Sequence, residues 1–126
     1  MSVSVQYIEF IHDLLADFAP LRIKRMFGGA GVYSGDLFFA ILAEDTLYLK
    51  VDDGNRAGYE ALGIQPFAHV GKDGRTATMS YYPVPAESLD NPDALAPWAR
   101  QALDAARRGV ARQATKRRRP QGFGSP

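Results

Sequence analysis

The sequence of 126 residues contains no cysteine. A chain without cysteine has no disulfide, no thiolate metal site and no cysteine nucleophile, as is common in cytoplasmic proteins. It also has no apolar run near the roughly 20 residues that span a bilayer. Its first residues lack a positive cluster followed by an apolar stretch, so no secretory signal is predicted. We therefore expect a cytoplasmic protein with no membrane partner.

Acidic residues are missing from the last part of the chain. After Asp104 there are seven basic residues and no acid, which leaves 8 basic against 14 acidic residues, a charge of −6, in the part before. This asymmetry predicts an acidic domain, residues 1–108, and a basic tail, residues 109–126. The tail is rich in Arg, Pro and Gly without a core-forming stripe after Gly109, so we expect it to be disordered.

Apolar residues at helical spacing predict three helices. Ser4 is a suitable N-cap for the first, which we expect to run to about Phe18. Asp52 or Asp53 is predicted to cap a short second helix that runs through Leu62. The last begins near Asn91, which is followed by a proline and an acid. Asp104 and Arg108 are four residues apart on that helix, the spacing of a favourable ion pair.

Alternating and continuous apolar segments predict five strands, three within residues 21–51 and two within residues 66–82. The spacers are short, which favours antiparallel hairpins because a parallel crossover needs a dozen or more residues. Residues 37–42 are apolar throughout, as expected of a central strand. The predicted fold is α+β: a two-layer antiparallel sheet with helices on one face, in the order α-β(3)-α-β(2)-α.

Several motifs are too particular to be generic. The longest is Arg25-Met26-Phe27-Gly28-Gly29-Ala30-Gly31-Val32-Tyr33, and the second is Met79-Ser80-Tyr81-Tyr82-Pro83-Val84-Pro85. Two shorter ones are Leu47-Tyr48-Leu49-Lys50 and Pro97-Trp98-Ala99. In this order and at these spacings, the chain from about Phe10 to Arg108 resembles the N-terminal domain of the TfoX (Sxy) family.

The resemblance implies a fold of the secretion-chaperone-like kind. It also implies a role in regulating competence for DNA uptake in bacteria, in which the founding members act as co-activators of transcription alongside the cyclic-AMP receptor protein. The leading hypothesis is therefore a non-enzymatic regulatory module that works through contact with a protein partner.

The glycine-rich segment of the first motif has two readings. Residues 28–31 lack the Gly-Lys-Ser/Thr of a phosphate loop, and no helix is predicted to follow. Glycines inside a strand pattern usually mark a bulge or a sharp bend. The alternative is a ligand-binding or catalytic bend, residues 25–31, in which Lys24 and Arg25 form an anion pocket.

No other residues form a recognisable catalytic or metal site. His12 and His69 are far apart in sequence and lack metal-ligand spacing, and His12 is expected at the surface. Ser80 lacks the Gly-x-Ser-x-Gly context of a nucleophile elbow. We therefore predict no enzyme activity and expect no cofactor.

Two surfaces remain as candidates. The run Lys116-Arg117-Arg118-Arg119 provides cations that would neutralise nucleic-acid phosphates weakly and without sequence preference; the alternative, which a lone short run favours, is a solvated tail that only aids solubility. Tyr48 and Tyr82 are predicted to form an exposed patch on the uncovered face of the sheet. Such a patch suits a protein partner, including a second copy in a homodimer; the alternative is scattered aromatic residues on a wet face.

Overall fold

The computed structural model describes residues 3–26, 28–70, 76–78 and 80–118. It is an α+β structure, as the sequence predicts. Its elements follow the chain in the order α1 (Val5–Leu14), β1 (Arg22–Met26), β2 (Gly29–Ser34), β3 (Leu37–Ala43), β4 (Thr46–Lys50), α2 (Arg56–Ala61), β5 (Ala68–Val70), β6 (Thr76–Thr78), β7 (Tyr81–Pro83), a 3-10 turn (Ala86–Leu89) and α3 (Pro92–Arg118).

Five strands form an antiparallel sheet in the order β1-β2-β3-β4-β7. The predicted apolar strand, β3, lies at its centre, as expected. Tight turns join its neighbours: Gly28 and Gly35 have positive φ, as do Glu44 and Asp45 between β3 and β4. The sheet is built from local hairpins, and only the β4-β7 pair joins distant segments.

The predicted strand count is wrong. The first group has four strands rather than three, because the turn at Gly28 divides one predicted extended segment into β1 and β2. The second group has three strands rather than two. β6 pairs with β5 in a separate two-stranded sheet, whereas β7 pairs with β4 in the main sheet. The turn predicted at residues 71–74 lies outside the described residues.

The main core lies between one face of the sheet and helices α1 and α3. The β2-β3 register shifts between Val32 and Tyr33, where β3 has one extra residue, Phe39. Such a bulge places two successive side chains on the same side, and Phe39 and Ala40 are both fully buried in this core. A second, smaller cluster contains buried Val51, Tyr59 and Tyr82, with Trp98 packed against both clusters.

The N-caps predicted for α1 and α3 are confirmed, whereas α2 begins after Asn55 rather than after the predicted Asp52 or Asp53. The Ser4 hydroxyl accepts a hydrogen bond from the Tyr7 N–H at 3.1 Å, and the Asn91 side-chain carbonyl accepts one from the Ala94 N–H at 2.9 Å. Helix α1 ends at Leu14, four residues earlier than predicted, because the chain tightens into turns of the i to i+3 type after it.

Helix α3 differs most from the prediction. It contains Pro97 and continues past Gly109 to Arg118, so the expectation of a disordered chain from Gly109 onward is wrong for residues 109–118. The physical reason lies in the composition: residues 110–118 are mostly Ala, Arg, Gln and Lys, which have high intrinsic helix propensity. The division into a domain, residues 1–108, and a tail, residues 109–126, stays a prediction.

Candidate interaction surface

The glycine motif forms a hairpin between β1 and β2, as one of the two readings predicts. Gly28 has φ 80°, and Gly29 closes the turn opposite Met26. A Cβ on Gly29 would lie 2.5 Å from the carbonyl oxygen of Leu42 on the next strand, so no larger residue fits there without a backbone shift. The motif therefore serves close strand packing. Phe27 lies outside the described residues.

Lys24 and Arg25 do not converge on the bend. They are neighbours on β1 and so point to opposite faces of the sheet. Arg25 donates a hydrogen bond from its guanidinium to the Val3 carbonyl oxygen at 3.2 Å. A cavity of about 170 Å³ does lie beside the bend, but it has no charged residue in its lining: Met26, Gly29, Ala30, Ile41, Leu42, Ala43 and Phe67. The described structure thus gives no support to an anion pocket here.

The face of the sheet opposite the main core carries a row of aromatic side chains. The rings of Tyr33 and Phe38 stack at 5.0 Å between centroids, and Phe38 packs against Tyr81 at 5.9 Å. A cation lies at each end: Arg22 is 4.5 Å from the Tyr33 ring centroid, and Lys50 is 5.2 Å from that of Tyr81. We call these five residues the aromatic row. Cation–π contacts of this kind contribute about 0.5–1 kcal/mol each at exposed sites.

Tyr48 and Tyr82, the predicted patch, lie on opposite faces. Tyr48 is partly exposed on the face of the aromatic row and packs edge-on against Phe67 at 4.8 Å. Tyr82 pairs in register with Leu49, which puts it on the core side, where it is buried 5.2 Å from the Tyr59 ring. Tyr81 takes its place on the outer face, where burial raises the pKa of its phenol to about 12.

A bidentate ion pair ties α3 to the end of β4. The Arg108 guanidinium donates two hydrogen bonds of 2.7 Å to the two Asp52 carboxylate oxygens, and the Gly54 N–H donates another at 2.9 Å. The hydrogen bonds from Arg108 lower the pKa of Asp52 to about 2. The predicted partner of Arg108, Asp104, instead accepts from Arg107 at 2.9 Å. Sequence spacing alone missed Asp52 because it is 56 residues away from Arg108.

Beyond this ion pair, α3 and the sheet end enclose a cleft of about 420 Å³, which we call the α3 cleft. The sheet contributes Phe38, Lys50 and Tyr81 from the aromatic row, with Asp36 at the β2-β3 turn. The helix contributes Ala106, Gly109, Val110, Gln113 and Ala114. Val110 is 56% exposed, so much of the helix's apolar side is uncovered. A second cleft of about 540 Å³ meets this one at Lys50 and includes Arg112.

The predicted nucleic-acid run begins within α3, which ends at Arg118; Arg119 lies outside the described residues. His12 is exposed, as expected. Across the described ranges, no cluster of three or more His, Asp or Glu residues is arranged to hold a metal ion. No described helix is both long and apolar enough to cross a membrane.

Comparison with known proteins decides the family. The model of the TfoX N-terminal domain matches residues 13–106 of this chain. The chain belongs to the TfoX N-terminal domain family. This confirms the resemblance carried by the sequence motifs. A relative is the DNA transformation protein TfoX1 of Aliivibrio fischeri, which is 34% identical over 61 residues. The match covers 48% of this chain and 29% of the relative.

The TfoX match begins near the end of α1 and includes all five strands of the main sheet, α2 and the first part of α3. It therefore contains the β1-β2 hairpin, the aromatic row and Asp52. It ends at Ala106, whereas Arg108 and the exposed Val110 come later in the chain. The sheet wall of the α3 cleft thus lies within the TfoX N-terminal domain, and most of its helical wall follows it.

Proposed function

We propose that this protein is a non-enzymatic, cytoplasmic regulator of competence for DNA uptake, and that it acts on transcription through contact with a protein partner. The family carries this proposal, together with the name of the relative, which is a DNA transformation protein. This chain matches only part of the relative's length, so the relative's role is proposed for this chain.

The surface supports an interaction role. The aromatic row and Tyr48 place four aromatic side chains on the face away from the main core, and the α3 cleft adds the exposed Val110. Aromatic residues are enriched in protein interfaces because they bury much apolar area at low entropic cost. A homodimer is one form that such a contact takes, and sedimentation of the purified chain measures it directly.

The ionisable groups support a non-catalytic role. In catalytic sites, pKa values are typically shifted toward the working pH by burial or charged neighbours. The pKa values displaced here move away from neutrality: burial raises those of Tyr7, Tyr59 and Tyr81, and Arg108 lowers that of Asp52. This pattern is typical of packing and ion pairing.

A genetic experiment in the source bacterium tests the regulatory role. The gene is deleted and replaced by the wild-type gene or by an empty cassette at the same site. We expect deletion to lower both the number of transformants per recipient cell and the transcripts of DNA-uptake genes, and the wild-type gene to restore both. Unchanged transformation and transcripts in the deletion strain would refute the regulatory role. Turnover of a cell metabolite by the purified chain would refute the non-enzymatic one.

Weak nucleic-acid binding is a second candidate, favoured by the helical continuation of α3. Arg112 and Lys116 are four residues apart along this helix, without an intervening acid. This hypothesis predicts DNA binding that falls steeply with salt, since each neutralised phosphate releases counterions. Replacing residues 116–119 by glutamine should abolish it. Unchanged DNA binding by that variant would rule out the basic run as the contact.

A further inference from the structure

The α3 cleft combines an apolar floor with an apolar helical wall. The floor consists of the packed rings of Phe38 and Tyr81, 5.9 Å apart. The wall is the side of α3 on which Ala106, Val110 and Ala114 follow one another at helical spacing. Ala106 is buried in the main core, but Val110 is 56% exposed. Because Tyr81 is only 7% exposed, a side chain inserted here would remove from water mainly the apolar surface of Val110 and of the half-buried Phe38.

Lys50 lines the cleft, and Arg112 lines the second cleft that meets it at Lys50. Asp52 and Asp53 each pair with an arginine, Arg108 and Arg56 respectively, which leaves these two carboxylates neutralised. Among the described residues, Lys50 and Arg112 form no ion pair.

Among the described residues, Asp36 at the β2-β3 turn is the one carboxylate that lines the apolar cleft. Lys50 and Arg112 outnumber it across the two adjoining clefts, so the charge there favours a negatively charged occupant.

We infer that the α3 cleft binds an acidic amphipathic helix of a protein partner. This inference rests on the proposed interaction function and names the partner's chemistry. Apolar side chains at helical spacing fill the space beside Val110, Phe38 and Tyr81, while Glu or Asp on the flanks of the same helix face Lys50 and Arg112. Proteins that bind a helix in a groove recognise apolar side chains at such spacings. Charge pairs at the rim speed association and select the partner.

Two other occupants fit less well. In a second copy of this chain, the acidic helix would be α1, but Ile11 and Leu14 are buried in the main core, and its exposed apolar residues, Val5 and Phe10, are five positions apart rather than three or four. Nucleic acid presents phosphates to the rim, but an apolar floor offers no partner for a phosphodiester backbone. Tyr81 is only 7% exposed, which leaves little ring face for a base to stack on.

A fluorescent peptide tests the inference with the full chain. The probe is an acetylated peptide of about 18 residues, long enough for roughly five helical turns, with Leu at i, i+3, i+4 and i+7 positions and Glu elsewhere. One control peptide has Lys in place of Glu, and another has the same composition in an order without an apolar stripe. Binding is measured by fluorescence anisotropy. We expect the acidic amphipathic peptide to bind with micromolar affinity and neither control peptide to bind.

Variants of the chain test whether the peptide binds in the α3 cleft. Val110→Gln removes an apolar wall residue that is already exposed, and Lys50→Glu and Arg112→Glu each reverse a rim charge. Each should weaken binding about ten-fold, which corresponds to roughly 1.4 kcal/mol. Arg100→Glu is the matched control, because Arg100 is an exposed cation of the same helix outside the cleft. Circular dichroism verifies that each variant is folded.

Three results would overturn the inference. The first is no peptide binding, and the second is equal loss with Arg100→Glu, which would indicate non-specific charge attraction. The third is equal binding of the lysine peptide. Displacement of the peptide by single-stranded DNA would identify nucleic acid as the occupant instead. A mass that rises with concentration in the wild type but not in Val110→Gln would identify a second copy of this chain.

Photo-crosslinking in the source bacterium separates this inference from the proposed function. A benzophenone amino acid replaces Val110 in one strain and Arg100 in a control strain. We expect crosslinks from position 110 only, to a partner segment that mass spectrometry identifies as a helix rich in Glu or Asp. Crosslinks from position 110 to a basic segment would refute the cleft assignment. The absence of crosslinks from position 110, in cells whose transformation depends on the gene, would also refute it. Neither result would contradict the regulatory role.

Discussion

Loss of the Asp52–Arg108 ion pair should destabilise the fold and free the second half of α3. The pair lowers the pKa of Asp52 from its ordinary value of 3.8 to about 2. If the full shift acted on folding, it would correspond to about 2.4 kcal/mol. The Arg108 side chain is 44% exposed, although that of Asp52 is only 11% exposed. Water weakens such a pair, so we expect Asp52→Asn to cost about 1 kcal/mol at pH 7.

The pH dependence follows from the direction of the shift. Because folding lowers the pKa of Asp52, the folded state favours the ionised carboxylate, and the contribution is fully present above the unfolded pKa of 3.8. It is lost as the pH falls through the folded pKa of about 2. At pH 3 roughly half of it should remain. The wild type and Asp52→Asn should therefore converge in stability between pH 4 and pH 2.

Urea unfolding of both proteins at pH 7, 4, 3 and 2.5 measures this difference, and amide hydrogen exchange reports whether α3 frays beyond Arg108. The control is Asp104→Asn, since the Asp104–Arg107 pair is exposed on both sides, at 47% and 58%, and should contribute little. Equal losses for the two variants at pH 7, or a difference for Asp52→Asn that persists unchanged at pH 2.5, would refute the reasoning.

Three further changes test the packing by urea unfolding. Tyr59→Phe should stabilise the fold by about 1 kcal/mol, because the buried Tyr59 hydroxyl lacks a hydrogen-bond partner among the described residues; a loss of stability would indicate a bound water there. Gly29→Ala should cost about 1–3 kcal/mol because its Cβ would meet the Leu42 carbonyl oxygen, whereas Gly109→Ala, with open space around it, should gain about 0.5–1 kcal/mol. Ser4→Ala should cost about 1 kcal/mol through loss of the α1 cap; an unchanged midpoint would contradict this.

Local rules predicted the parts of the fold that depend on near neighbours. The cap at Ser4, the central position of β3 and the antiparallel hairpins follow from side-chain hydrogen bonding, apolar content and spacer length. The strand count was wrong in the first group because the bend predicted at the glycines is a hairpin turn between two paired strands rather than a bend within one strand. The end of α3 was wrong because residues with high helix propensity extend the helix beyond Gly109 without a core-forming stripe.

By itself, the sequence determined the α+β class, the family, and the charge asymmetry between the body and the end of the chain, since these depend on composition, periodicity and motifs. Only the tertiary structure decided which face each tyrosine occupies, because the β4-β7 register puts Tyr82 opposite Leu49 and so turns it toward the core. It also brought Asp52 to Arg108 and placed Val110 over Phe38 and Tyr81. These contacts join residues far apart in the chain, and no local spacing predicts them.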